Sequence, residues 1–570
     1  MRKNDIITLD ITDINNLGYG VGRYDGVVVF VAGAVSGDKI KAKIIKANKN
    51  WCVGRLSEIL ESSPHRAEDR FCFAPDSCGG CVYRNITYAH ECELKREYVK
   101  NAFRKCGLPD VEVNDVLTAG DIRGYRNKAQ YPVKTEGGKM RAGFYAAKTH
   151  NIVACESCAL QPDIFSDIVR FVCEFSDKNG ITAYDELTGK GLLRHIYLRY
   201  GQNTGEIMLC LVINGKALPN AEKFAREITE RFNGIKSVML SINTKNTNVV
   251  LGDEFLCIGG RDYIEDVLCD VRFRISAGSF YQVNHDGAEL LYKLAADLAR
   301  PEGKTVIDLY CGAGTIGLSM AKRAKKVVGI EIVDEAVKCA NINAKINGID
   351  NAQFYCGDAS DTEGLLESVE KHSGERIDAD VVVMDPPRKG STRELINYLS
   401  RRGIRHVVYV SCDPDTLARD CAWFKELGYE IGKVTPVNMF PRTGHVESVV
   451  CLSRQSNVHN MKLHSSPFEM IKNGEKTIEL RLFDEKRQQI KTGDKIVFTN
   501  NTTEETLNTT VVKLHRFDSF EELYKSLPLL KCGYTTENVY NAKSSDMEQY
   551  YSVEEQNKYG VVGIELFRHQ

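Results

Sequence analysis

"TVIDLYCGAGTIGLSMAKRA", residues 305–324, reads as an apolar strand, a glycine-rich turn and an amphipathic helix. Gly312 and Gly314 let the backbone turn tightly and let a ligand approach it closely. The following "KVVGIEIVDEAVKCANINAKINGI" holds a second strand ending at Glu331, where an acid can take the hydroxyls of a ribose. From Thr305 to Leu452 strands and helices go on alternating, which predicts a doubly wound, Rossmann-like parallel sheet.

A glycine loop with a downstream acid suits several nucleotide ligands. Here the loop opens on Asp308 rather than glycine, and a third strand, "AQFYCGD", ends on Asp358, which can accept from an adenine amino group. These details favour S-adenosylmethionine. Two further strand ends carry chemistry: "ADVVVMDPPRKG" ends in Asp385-Pro386-Pro387, and "RHVVYVSCDP" ends in Cys412. Groups beyond the carboxyl ends of such strands face the ligand crevice. Amine methyltransferases follow Pro-Pro with an aromatic residue, but Arg388 stands here. RNA cytosine-C5 methyltransferases carry a second cysteine in that region, and this chain does not.

The rest of the 570 residues extends this picture. The length suggests roughly three to five domains. A composition of 43% hydrophobic and 27% charged residues is that of a globular protein, and a net charge of −2 means any nucleic-acid signal must be local. The N-terminal "MRKNDIITLDITDINN" has no apolar h-region and no run reaches ~18 apolar residues. A cytoplasmic protein without a membrane span is expected. In that compartment 19 cysteines are core filler, ligands or catalytic thiols rather than a disulfide framework. Residues 1–60 alternate β-rich runs with glycine turns, as an OB-like β-barrel does. Residues 61–290 form a central α+β region, 291–453 the doubly wound domain, 454–460 a polar linker, and 461–570 a compact α+β segment.

"DLYCGAGTIGL", "DPPRKG", "VSCDP" and "MFPRTGHVESV" together resemble the RNA uridine-C5 methyltransferase family, which acts on 23S rRNA and tRNA. The resemblance covers residues 1 to about 453, and the N-terminal barrel looks like the family's RNA-binding TRAM domain. It implies Cys412 as the nucleophile that adds to uracil C6, making C5 nucleophilic enough to take a methyl group. Glu447 matches the base that removes the C5 proton. Gln282, Tyr310, Glu331 and Asp385 match cofactor contacts, Asp385 also reaching the uracil edge, and Phe280 matches a substrate contact. The resemblance implies 23S rRNA as the substrate, with the T-loop uridine of tRNA as alternative. A non-catalytic ribosome-assembly factor that keeps the fold is the competing class. A monomer is expected.

The target base must leave its stack to reach Cys412. Residues 120–150 hold Arg123, Arg126, Lys128, Lys134, Lys139, Arg141 and Lys148 against Asp121 and Glu136, with Tyr125, Tyr131, Phe144 and Tyr145 interleaved. That mixture predicts an RNA-binding face in which Arg126 and Lys128 touch substrate.

"CFAPDSCGGC" supplies Cys72, Cys78 and Cys81, and a four-cysteine zinc or iron–sulfur site needs one more. Cys158 in "IVACESCAL" is the candidate, Cys155 its neighbour, with Cys92 and Cys106 further options. The family resemblance implies a [4Fe–4S] cluster and, through the Cys-x-Leu ending, Cys158. A radical methylthiotransferase also joins TRAM to a cluster, but needs a Cys-x3-Cys-x2-Cys run that is missing here.

"IKNGEKTIELRL" and "GDKIVF" resemble an ASCH domain, a small PUA-related β-barrel thought to bind RNA. Hydrolytic ASCH proteins carry a lysine and, three residues on, a threonine. Lys476 matches the lysine, but Glu479 replaces the threonine, which favours a binding accessory. With 15 Lys/Arg against 17 Asp/Glu in 461–570, no broad basic surface is expected there.

Overall fold

The computed structural model describes all residues except 69, 70, 73, 359–363, 365, 367, 368, 372–376, 378, 456, 569 and 570. Strands β1 (Ile6–Ile14), β2 (Tyr19–Tyr24), β3 (Val27–Ala32), β4 (Lys39–Ala47) and β5 (Trp51–Glu61) close into a barrel in the order β1-β2-β3-β5-β4. Alternate residues point inward: Val29, Val31, Ile40, Ala42 and Ile44 are all wholly buried. The barrel rests on the segment after the cysteine motif through a small core of Ile14, Val35, Tyr83 and Ile86.

The central region is built on β6 (Lys128–Glu136), β7 (Lys139–Tyr145), β8 (Ile152–Ala154), β9 (Leu193–Tyr200), β10 (Ile207–Ile213), β11 (Ile235–Ile242) and β12 (Glu254–Gly260). They form one sheet in the order β12-β11-β10-β9-β6-β7-β8. Helix Asp163–Lys178 buries Phe165, Ile168 and Val172 against it. Hairpin β13 (Tyr263–Leu268) and β14 (Val271–Ser276) leads to helix His285–Ala299, so a boundary at residue 290 falls inside a helix.

Next come β15 (Thr305–Leu309), β16 (Lys326–Glu331), β17 (Ala352–Cys356), β18 (Val381–Met384), β19 (His406–Ser411), β20 (Glu430–Ile431), β21 (Thr435–Val437) and β22 (Glu447–Ser453). The sheet order is β17-β16-β15-β18-β19-β22-β20, with β21 also paired to β22. The first five are parallel and β22 runs antiparallel to β19. Alternate residues feed two cores: Val306, Val383 and Val408 one, Ile307, Val382 and Val407 the other. Burial on both faces explains the unbroken apolar runs at the sequence level.

The C-terminal segment departs from the expected barrel. Its strands Val458–Leu463, Ile478–Leu482, Lys495–Asn500, Thr506–Phe517 and Val561–Arg568 form an open sheet whose edges are the first two. Helix Ser465–Asn473 joins those edges and puts Phe468 and Ile471 into the sheet's core, covering what closure would cover. Within the stretch read as linker a strand starts at Val458, and Arg454 is buried. Arg454 donates to the hydroxyl of Ser400 at 2.7 Å and its carbonyl at 3.1 Å, and lies 4.8 Å over Tyr429. No helix among the described residues is long and apolar enough to cross a membrane.

Candidate active site

The turn after β15 is strained where a ligand would sit. Tyr310, Gly312 and Gly314 all have positive φ, at 62°, 55° and 79°. Tyrosine rarely adopts that conformation, and such strain concentrates at functional sites. A side chain at 314 would lie 2.8 Å from the Phe354 ring. Glu331 ties the loop down, accepting the Gly312 N–H at 3.0 Å and the Val333 N–H at 3.0 Å. A carboxylate has about four lone-pair positions, so both oxygens keep capacity for hydroxyls. Asp308 is wholly buried and accepts the Gly317 N–H at 2.8 Å, fastening strand to helix. Burial pushes its carboxyl up to about 7 despite that hydrogen bond.

Gln282 is buried and joins the loop through Tyr292, whose hydroxyl lies 3.0 Å from that of Thr315. Asp358 is exposed just after β17, and its charge reaches Tyr310. Phe280, two residues before Gln282, is 66% exposed, which removes core packing as its role.

Cys412 follows β19 directly, and Asp413 behind it caps helix Pro414–Glu426, accepting from Asp415 and Thr416 at 3.0 and 3.1 Å. Strand β22 pairs Ser448 with Ser411, so one further step of the register sets Glu447 opposite Cys412. Asp385 arrives from the end of the neighbouring β18. Burial pushes the Cys412 thiol up to about 11, with the Glu447 and Asp385 charges adding to the rise. Burial and then Asp385 hold the Glu447 carboxyl well above its ordinary range, and burial lifts Asp385 to about 7. Arg388 opposes the shift at both Cys412 and Glu447. Burial thus disfavours the charged form of the thiol and of both carboxyls.

A family model described as tRNA (Uracil-5-)-methyltransferase matches residues 87–455. The chain belongs to this uracil-C5 methyltransferase family. TRAM and ASCH models match residues 2–56 and 461–568 of this RNA methyltransferase. An uncharacterized RNA methyltransferase of Clostridium acetobutylicum is 40% identical over 458 residues, 80% of this chain and 98% of that protein. One of Bacillus cereus is 41% identical, covering 79% and 98%. Among solved structures, the Pyrococcus abyssi tRNA (uracil-54, C5)-methyltransferase with S-adenosyl-L-homocysteine is similar at TM-score 0.63 and 27% identity, covering 78% of this chain and 100% of its own.

Elsewhere in this uracil-C5 methyltransferase family member, Cys72, Cys78, Cys81, Cys155 and Cys158 line a cavity of about 190 Å³. Cys72, Cys81 and Cys158 pack together around Phe71, Tyr125 and Leu160. Cys155 instead donates its thiol to the Ser157 carbonyl at 2.8 Å. Among the described residues, no three of these sulfurs lie within 4.8 Å of one another.

Arg126 and Lys128 line the same cavity, so the expected open RNA face is not where they stand. Tyr125 and Tyr131 are likewise buried, 7% and 3% exposed: Tyr131 shares the core-facing side of β6 with Ala129 and Val133, and Tyr125, just before that strand, packs with Phe71 and Leu160. They pack rather than offer stacking platforms. Arg388 and Tyr292 went unnoticed as parts of the site. Only Arg388 carried a signal, as the cation directly after Pro-Pro. In the ASCH domain Lys476 lies 2.8 Å from Glu479, and Arg481 meets the other oxygen at 2.8 Å. Although burial works the other way, these cations hold Glu479 below the usual carboxylate range.

Proposed function

We propose that this protein methylates C5 of a uridine in 23S rRNA with S-adenosylmethionine. The observation that carries the reading is the convergence of Cys412, Glu447 and Asp385 at adjacent strand ends, beside a strained glycine loop. The Cys412 thiolate adds to C6, its electrons push the ring towards an enolate, and C5 takes the methyl group from the sulfonium. Glu447 then accepts the C5 proton, the C5–H electrons restore the C5–C6 double bond, and the thiolate leaves. Asp385 accepts from the uracil N3–H or from the cofactor. Tyr310, Gly312, Gly314, Glu331, Asp358 and Gln282 bind the cofactor, Glu331 its ribose and Asp358 its adenine, while Phe280 touches the base. The positive sulfonium of the cofactor, together with Arg388, opposes the influences that hold Cys412 protonated beforehand.

Cys72, Cys78, Cys81 and Cys158 would hold a [4Fe–4S] cluster. Their spacing supports it, since thiolates on one tetrahedral zinc at 2.3 Å stand only about 3.8 Å apart. The cluster would supply a rigid anionic brace, because the reaction moves no electrons. The ASCH domain acts as a binding accessory, its lysine being held by Glu479.

The similarity to a solved tRNA methyltransferase favours tRNA as a second reading. Mapping 5-methyluridine in rRNA and tRNA of a deletion strain separates the two. Loss of the mark from 23S rRNA is expected, and loss from tRNA alone overturns the assignment. A denaturation-stable adduct with 5-fluorouridine RNA is expected of the enzyme and not of a non-catalytic assembly factor.

A further inference from the structure

The segment that delivers Glu447, from Asn438 to Val446, is fastened by parts of the molecule that lie more than 290 residues earlier. Asn438, Met439, Arg442 and Val446 are all buried, and Arg442 sits at φ 69°. Helix Tyr88–Lys105 grips this segment with charge. Glu91 accepts the backbone N–H of Arg442 on both oxygens, at 2.9 and 3.1 Å. Lys95 donates to Glu91 at 2.9 Å, to the Asn438 side chain at 2.7 Å and to the Phe440 carbonyl at 3.0 Å. Glu91 and Lys95 are 0% and 1% exposed.

A buried ion network is a weak source of net stability compared with apolar packing. Its geometry here points elsewhere, since most of its bonds end on the backbone or amide of the loop, which apolar side chains cannot hold in one conformation. The cysteine-bearing segment supplies the second grip. Arg442 donates to the Ile86 carbonyl at 2.8 Å and lies 4.7 Å over Phe71, the residue before Cys72. Tyr83 donates its N–H to the Arg442 carbonyl at 3.1 Å. Tyr125, packed with Phe71 and Leu160 beside Cys158, donates its hydroxyl to the Pro441 carbonyl at 3.0 Å. The barrel adds a third contact: a side chain at Gly444 would lie 1.8 Å from the Asn16 carbonyl.

We infer that Glu91, Lys95, Arg442 and Tyr125 are positioning residues for the proton-abstracting half of the reaction, holding Glu447 in place and making that step depend on an intact cysteine segment. This rests on the reading of Glu447 as the base. Methyl transfer needs only Cys412 and the cofactor crevice, so a loosened 438–446 segment should slow C5 deprotonation more than methylation. The methylated covalent adduct should then accumulate.

The test is a single turnover of the full-length protein on a 23S rRNA transcript of the source organism carrying [5-³H]uridine, with ¹⁴C-methyl S-adenosylmethionine. Tritium released to water reports deprotonation, ¹⁴C in RNA reports methyl transfer, and a denaturing gel reports the adduct. In Glu91→Gln, Tyr125→Phe and Cys158→Ser, tritium release should fall on the order of 10-fold below methyl transfer, as for a displaced catalytic group. Equal slowing of both half-steps, or no rise in adduct, overturns the inference. Where melting shows Glu91→Gln or Cys158→Ser unfolded, Tyr125→Phe decides, since it removes one hydroxyl only. Glu447→Gln separates the two levels: if its adduct resolves at the wild-type rate, the base assignment itself is wrong.

Discussion

The catalytic crevice and the cysteine cavity both bury thiols, and they surround them with opposite charge. Burial pushes Cys412 up to about 11 and Cys81 and Cys158 to about 12. Around Cys412 stand three carboxyls, Glu447, Asp385 and Asp413, and one cation, Arg388. Around the cavity stand Arg84, Arg126 and Lys128, with no carboxylate among the described lining residues. Acidic neighbours keep a thiol protonated until a substrate changes the balance, which suits a nucleophile that must come and go. Arg84 opposes the rise at Cys81, and cations around the cavity complement an anionic group held between the sulfurs, which suits a fixed ligand set.

The largest break in this comparison is Cys412→Ala. Methyl transfer should fall by at least ~10³-fold, as when a covalent nucleophile is removed, while iron content of the purified protein stays at the wild-type level. Parallel loss of both would mean that the two thiol sites are one structural unit. Next, Cys158→Ser should strip the iron-dependent visible absorbance and lower the melting temperature, whereas Cys155→Ser keeps both. The reverse pattern would hand the fourth ligand position to Cys155.

Arg388→Gln sharpens the electrostatic half. Cys412 and Glu447 act only after losing protons, so activity appears as pH rises through their values, and removing the cation raises both. The acidic limb of the pH–rate profile should move up by about one unit or less. An unmoved limb would show that Arg388 exerts no field at the crevice. The smallest effect is expected from Asp308→Asn. With its folded value lifted from the ordinary carboxyl range to about 7, Asp308 keeps a proton that the unfolded chain loses, so its contribution destabilises as pH rises across that window. The substitution should raise the melting temperature of the cofactor-free protein at pH 8 relative to pH 5, by roughly 2–4 °C.

The strands were legible because both faces are buried, so β15, β18 and β19 read as unbroken apolar runs with chemistry at their ends. That pattern placed Gly312, Gly314, Asp385 and Cys412 at strand ends, whereas the role of Cys412 came from the family resemblance. Burial of Glu91 and Lys95 was not legible, since an acid and a lysine four apart on a helix read as a solvated pair. Tyr125 and Tyr131 misled in the opposite direction, because basic and aromatic residues interleaved along a sequence do not say which of them turn to the core. Closure of the C-terminal sheet was equally hidden, depending on where one short helix lies.

By itself, then, the sequence determined the order of domains, the strand ends that carry the proposed reacting groups, and the cysteines that line one cavity. Local periodicity and turn chemistry are enough for those. Only the tertiary structure decided that Glu447 lies across from Cys412, that Arg126 and Lys128 face thiols, and that a charged helix clasps the 438–446 segment. Each of these depends on strand register or burial between residues tens to hundreds of positions apart, and no short-range pattern encodes such distances.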